Sequence, residues 1–117
     1  MYYYRIDSEK SLLEKISRKG YLAYGKTNYS VSFKGNRKTF KLYFYSNFDN
    51  ACKEANMQNK ELLRFKEDFL QSYKKIIDEE LPAEDNAFYI EIENLVIIPP
   101  QYIEKYMPYT KTWQSII

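Results

Sequence analysis

Apolar and polar positions alternate on both sides of one short gap, the clearest regularity in the chain. Tyr29, Val31 and Phe33 alternate with Ser30, Ser32 and Lys34. After Gly35, Asn36, Arg37 and Lys38, the residues Phe40, Leu42 and Phe44 alternate with Lys41, Tyr43 and Tyr45. Period two on either side of a loop predicts a β-hairpin. With Phe33 opposite Phe40, Val31 meets Leu42 and Tyr29 meets Phe44. All six then share one face, so pairing and patterning agree.

The flanking segments add further elements. Residues 2–6 are aromatic and β-prone and predict a short strand. Asp7 or Ser8 reads as a helix N-cap, Leu12, Leu13 and Ile16 form one stripe, and Gly20 is a stop, which predicts a helix over 8–19. Residues 21–24 predict a strand, followed by a turn over 25–28. Residues 46–55 predict a cap and short helix with Ala51, Cys52 and Ala55 inward. From 58 to 80 the apolar residues Leu62, Phe65, Phe69, Leu70, Tyr73, Ile76 and Ile77 recur at three- and four-residue spacing, which predicts a long helix ended by Leu81-Pro82. A strand is expected from Ala87, with Phe88, Ile90 and Ile92 on one face and Tyr89, Glu91 and Glu93 on the other. Residues 95–98 are uniformly apolar and read as its continuation or a partner strand. Pro99-Pro100 opens a last short helix through Tyr106, and Pro108 closes it.

These elements give an α+β fold: an antiparallel sheet of about four or five strands around a central hairpin, packed on one long amphipathic helix and some short ones. At 117 residues the expectation is one domain with a core of its own. Thirteen tyrosines point to a core that uses Tyr at its rim, or to an aromatic contact surface.

Composition removes several chemistries. Histidine is absent and Cys52 is the sole cysteine. Ser-His-Asp and Cys-His catalysis and Cys/His zinc sites are therefore excluded within this chain, and Cys52 reads as a structural thiol. No metal site, cofactor or catalytic residue is assigned. A single cysteine, the lack of a signal-peptide pattern and the lack of a long apolar run lead us to expect a cytoplasmic protein with no membrane partner. The bias toward Lys, Asn, Ile and Tyr suits an AT-rich genome, of the phage or mobile-element kind.

Charge changes the picture most. The net charge of +2 hides a split, because residues 15–48 contain no acid but eight basic and nine aromatic side chains. Residues 1–48 carry net +7 and residues 49–117 net −5. A field divided this way can orient the molecule on an anionic partner. The outward face of the hairpin would show Lys34, Lys41, Tyr43 and Tyr45, with Arg37 and Lys38 capping its loop. Tyrosine rings stack on unpaired bases and the cations neutralise phosphates, so these six are the candidate binding residues for nucleic acid or a nucleoprotein complex. An ordinary solvated sheet face is the plain alternative.

Two other readings use different residues. The acidic run Asp78, Glu79, Glu80, or the aromatic tail around Trp113, could meet a protein partner, although the tail is expected to dock on its own core. Arg5, Ser30-Val31-Ser32 and Glu91-Ile92-Glu93, in that order, resemble the Arg, Ser-x-Ser, Glu-x-Glu signature of ADP-ribosyltransferases. The resemblance implies that Glu93 polarises a ribose, Arg5 holds a phosphate and Ser30 braces the site. Strand alternation explains the same serines and glutamates, so membership is not assigned. The expected function is a small non-catalytic regulator or inhibitor of phage or mobile-element type that works through its basic, Tyr-rich hairpin.

Overall fold

The computed structural model describes residues 1–23, 31–34, 37–81, 86–92 and 96–116, with 31–34 and 37–39 described by their backbone alone. The fold is mixed α+β, and its described strands form three antiparallel sheets. The first sheet sets the architecture. Strand β1 (Tyr2–Asp7) pairs with β6 (Glu61–Lys66), which pairs with β10 (Ile103–Met107), which pairs with β11 (Thr112–Ser115). Side chains alternate across a strand, so Tyr3, Arg5 and Asp7 share one face of β1 with Leu63 and Phe65 of β6 opposite them. That face meets the main core, built from Tyr21, Leu42, Phe44, Phe88, Ile90, Ile92 and Ile98 among others. The other face, with Tyr4, Ile6, Leu62, Tyr106 and Trp113, lies under helix α2 (Phe48–Gln58), which inserts Ala51 and Ala55.

The predicted first strand is present. Ser8 does cap a helix, accepting from the Ser11 amide, but α1 (Glu9–Lys15) is shorter than expected. Ile16 turns extended, and β2 (Ile16–Ser17) folds back on β3 (Gly20–Ala23). Gly20 permits this fold-back. Its φ of 129° suits glycine, and an added Cβ would lie 2.0 Å from the Ile98 carbonyl oxygen. Strand β3 then pairs with β9 (Val96–Ile98), so the described part of that apolar run is a partner strand of β3, while Leu95 lies outside the described residues. Tyr24 and the turn over 25–28 lie outside the described residues.

The hairpin forms from β4 (Val31–Lys34) and β5 (Arg37–Phe44), with its register moved by two residues. Val31 faces Phe40, Phe33 faces Lys38 and Lys34 faces Arg37. Arg37 and Lys38 thus belong to the strand and not to a loop cap. A slip of two preserves the alternation, so hydrophobic patterning cannot detect it. Strand β5 pairs next with β8 (Phe88–Ile92), whose side chains alternate buried and half-buried as expected, and β8 with the two-residue edge strand β7 (Ile76–Ile77).

The long helix over 58–80 does not exist. Asn59, in the left-handed conformation, closes α2. Strand β6, a 3-10 turn (Glu67–Leu70) and β7 occupy the segment instead. Leu62 and Leu63 are adjacent and both buried because β6 is an inner strand covered on both faces. Such a run shares its spacing with a helical stripe, and tertiary pairing decides between them. The last predicted helix fails for a related reason. Pro100 opens only a 3-10 turn (Pro100–Tyr102), and Ile103–Met107 is claimed as a strand by β6 and β11.

Candidate nucleic-acid interface

On the outward side of β5 and β8, Lys41 and Tyr43 stand opposite Glu91 and Tyr89. The Lys41 ammonium lies 5.0 Å from the centre of the Tyr89 ring. Tyr43 and Tyr89 are in ring contact at 5.4 Å, tilted by 48°. All four side chains are half-buried, with one side packed and one side wet. By backbone position Lys34 and Arg37, paired where the two strands end, continue this face, whereas Lys38 is paired with Phe33 on the opposite face of the ribbon. Lys34, Arg37, Lys38, Lys41 and Tyr43 therefore fall on one hairpin. Tyr89 joins them, a residue that the sequence places on an outer face but cannot link to Tyr43 without the β5–β8 pairing. Tyr45 departs from the group. Its backbone exchanges hydrogen bonds with Tyr4 of the first sheet at 2.9 and 2.7 Å, and its side chain packs on the small core under α2.

The basic half is less exposed than its sequence implies. Alternation on β1 turns Arg5 and Asp7 toward the core, and Lys15 and Tyr21 converge on them from α1 and β3. Tyr21 donates to one Asp7 oxygen at 2.6 Å, while Arg5 and Lys15 approach the other at 3.1 and 3.4 Å. Arg5 also donates to the Tyr43 carbonyl at 2.9 Å, which ties this cluster to the backbone of β5. Burial alone would raise the Asp7 carboxyl, but Arg5, Lys15 and the Tyr21 hydrogen bond outweigh it and hold Asp7 below the usual carboxylate range. Burial pushes the Tyr21 hydroxyl well above the ordinary phenol range, against the pull of Arg5. Burial also lowers the Lys15 ammonium, despite Asp7. Two of the ten basic residues of 1–48 are thus used inside. Arg5 contacts groups of its own chain where the ADP-ribosyltransferase resemblance would have it hold a phosphate, and Ser30 and Glu93 lie outside the described residues.

The remaining candidates fall elsewhere. Trp113 docks on its own fold, as expected of the tail: it packs against Tyr4, Phe48 and Tyr106, and β11 completes the first sheet. The Arg64 guanidinium sits between the Tyr2 and Trp113 rings, 4.0 and 4.4 Å from their centres, and bonds Glu104. Asp78, Glu79 and Glu80 form a turn after β7, where Asp78 accepts from the Glu80 amide at 3.1 Å. Cys52 is half-buried on α2 against the small core. Among the described residues no group of three or more acidic or cysteine side chains could hold a metal ion, and no helix is long and apolar enough to cross a membrane. No family model, curated protein or solved structure matches the chain.

Proposed function

We propose that this protein is a small non-catalytic binder that engages nucleic acid, single strands first, or a nucleoprotein complex through its basic hairpin and the tyrosine face beside it. It would act by occupying its partner, as regulators and inhibitors of the phage or mobile-element type do. The observation that carries the reading is the array of Lys41, Tyr89 and Tyr43 on one sheet face, which the backbone positions of Lys34 and Arg37 extend, with Lys38 on the other face of the same ribbon. Tyrosine rings in tilted contact offer bases a stacking surface, worth about 1–3 kcal/mol per base. The cations supply phosphate neutralisation, with affinity that falls steeply with salt.

Anisotropy titration with a labelled single-stranded oligonucleotide tests this directly. Replacing Lys34, Arg37, Lys38 and Lys41 with Glu should abolish binding, and raising salt should weaken the unaltered protein. An affinity that ignores salt, or survives the four changes, sinks the reading. A second reading rests on the exposed turn of Glu79 and Glu80 beside β7: an inhibitor that meets a basic protein surface. Charge reversal at Asp78, Glu79 and Glu80 would then abolish capture of the partner, capture would survive nuclease treatment, and the hairpin changes would matter little.

A further inference from the structure

A second binding feature lies away from the tyrosine face, where the end of β8 meets β1 and the edge strand β7. A cleft of about 430 Å³ opens there, lined by Tyr3, Lys75, Ile77, Asp78, Ala87 and Phe88. That volume lies in the range of small-molecule sites. Its floor is apolar, since Tyr3, Ala87 and Phe88 are almost fully buried and Tyr3 meets Phe88 edge to face at 4.9 Å. Its wall is apolar too: Ile77 stands 74% exposed on the edge strand, a large aliphatic group that folding leaves in water. One end is fixed by the Ser46 hydroxyl, which donates to the Asn86 carbonyl at 2.7 Å.

The cation that lines this cleft is the Lys75 ammonium. It donates to the Tyr3 hydroxyl and lies 4.3 Å from the centre of the Tyr3 ring and 5.6 Å from that of Phe88. The Tyr3 hydroxyl thus holds the exposed Lys75 ammonium at the mouth, with the two rings close by. Among the described residues no carboxylate forms an ion pair with it, although Asp78 lines the same cleft. One Asp78 oxygen already accepts from the Glu80 amide. An oriented cation over an apolar floor is complementary to a molecule with a carboxylate at one end and a flat apolar body at the other.

We infer that this cleft binds a small aromatic or aliphatic monoanion, with its acid group on Lys75 and its body between Ile77 and the Tyr3–Phe88 floor. The site is independent of the proposed nucleic-acid interface.

The test is an amide-resolved NMR titration of the full chain with phenylacetate, its neutral amide phenylacetamide, and phenethylamine. Phenylacetate should shift Ile77, Asp78, Ala87 and Phe88 to saturation, and the neutral amide should bind about tenfold more weakly. Lys75→Met should raise the phenylacetate Kd about tenfold, Lys75→Arg should keep most of the affinity, and Lys41→Glu should change nothing. Ile77→Ser, an exposed change that leaves the fold intact, should weaken all apolar probes together. Equal affinity for acid and amide, preference for the amine, indifference to Lys75→Met, or no saturable shift with any probe would each overturn the inference.

Discussion

Asp7, Lys15 and Tyr21 meet in the core, whereas Glu91, Lys41 and Tyr89 meet on the outside of a sheet, with the same three kinds of side chain. In the core, the carboxylate accepts from a phenol at 2.6 Å and faces two cations, so its charge is committed to folding. On the sheet, the ammonium rests 5.0 Å from a ring centre, with its carboxylate across the strand and water alongside. Residue type is common to both places, and burial separates them. A charge enclosed by partners loses much if one is removed, while a half-wet charge loses little and can exchange its partner.

The widest gap between the two should appear on truncation. Asp7→Ala leaves two cations facing each other in the core and should cost about 3–5 kcal/mol, read by urea denaturation. A loss under about 1 kcal/mol would erase the distinction. Acid should reproduce part of that loss. The Asp7 carboxyl is depressed by folding, so its contribution is complete above the ordinary carboxylate range and vanishes as pH falls through the folded value. At the alkaline end Tyr21, raised by burial, adds a contribution that is present below about pH 10 and is lost as pH climbs past it. Stability measured against pH should therefore fall at both extremes, and Asp7→Asn should flatten the acid limb.

Tyr21→Phe removes the hydrogen bond donated to Asp7 and the longer one accepted from Lys15 and keeps the ring, an expected cost of about 1–2 kcal/mol by thermal or chemical melting. On the sheet, Tyr43→Ala should lower stability by roughly 1 kcal/mol, through lost contact with Tyr89, while weakening oligonucleotide binding. The smallest effect belongs to Lys41→Ala, within about 0.5 kcal/mol of the parent in stability. A destabilisation by Lys41→Ala as large as that of Asp7→Ala would mean that the outer array is also structural.

The parts of the fold readable from sequence are those governed by local rules. The hairpin and β8 announce themselves by alternation, β1 by its β-prone aromatic run, and Ser8 and the start of α2 by capping. What escapes is decided by distant partners. Nothing local tells Leu62, Leu63 and Phe65 that strands on either side will claim them, and their spacing fits a helix equally well. The two-residue slip of the hairpin is invisible because it leaves every apolar residue on its face. The outer array is half legible: Lys41 and Tyr43 are neighbours on one face of one strand, while Tyr89 arrives through a pairing 46 residues along the chain. The core cluster has a signal in Arg5 and Asp7, opposite charges two apart on a strand whose face continues from Tyr3. Lys15 and Tyr21 come from separate elements, so their arrival is not written in either segment.

Trp113 is the sole tryptophan, and Tyr106 and Tyr4 lie 5.0 and 6.1 Å from it, ring to ring. At such separations, excitation absorbed by these two phenols passes to the indole and leaves as indole light. Unfolding would cut that transfer and uncover tyrosine emission. The chain thus carries an optical gauge of how α2 seats on the first sheet.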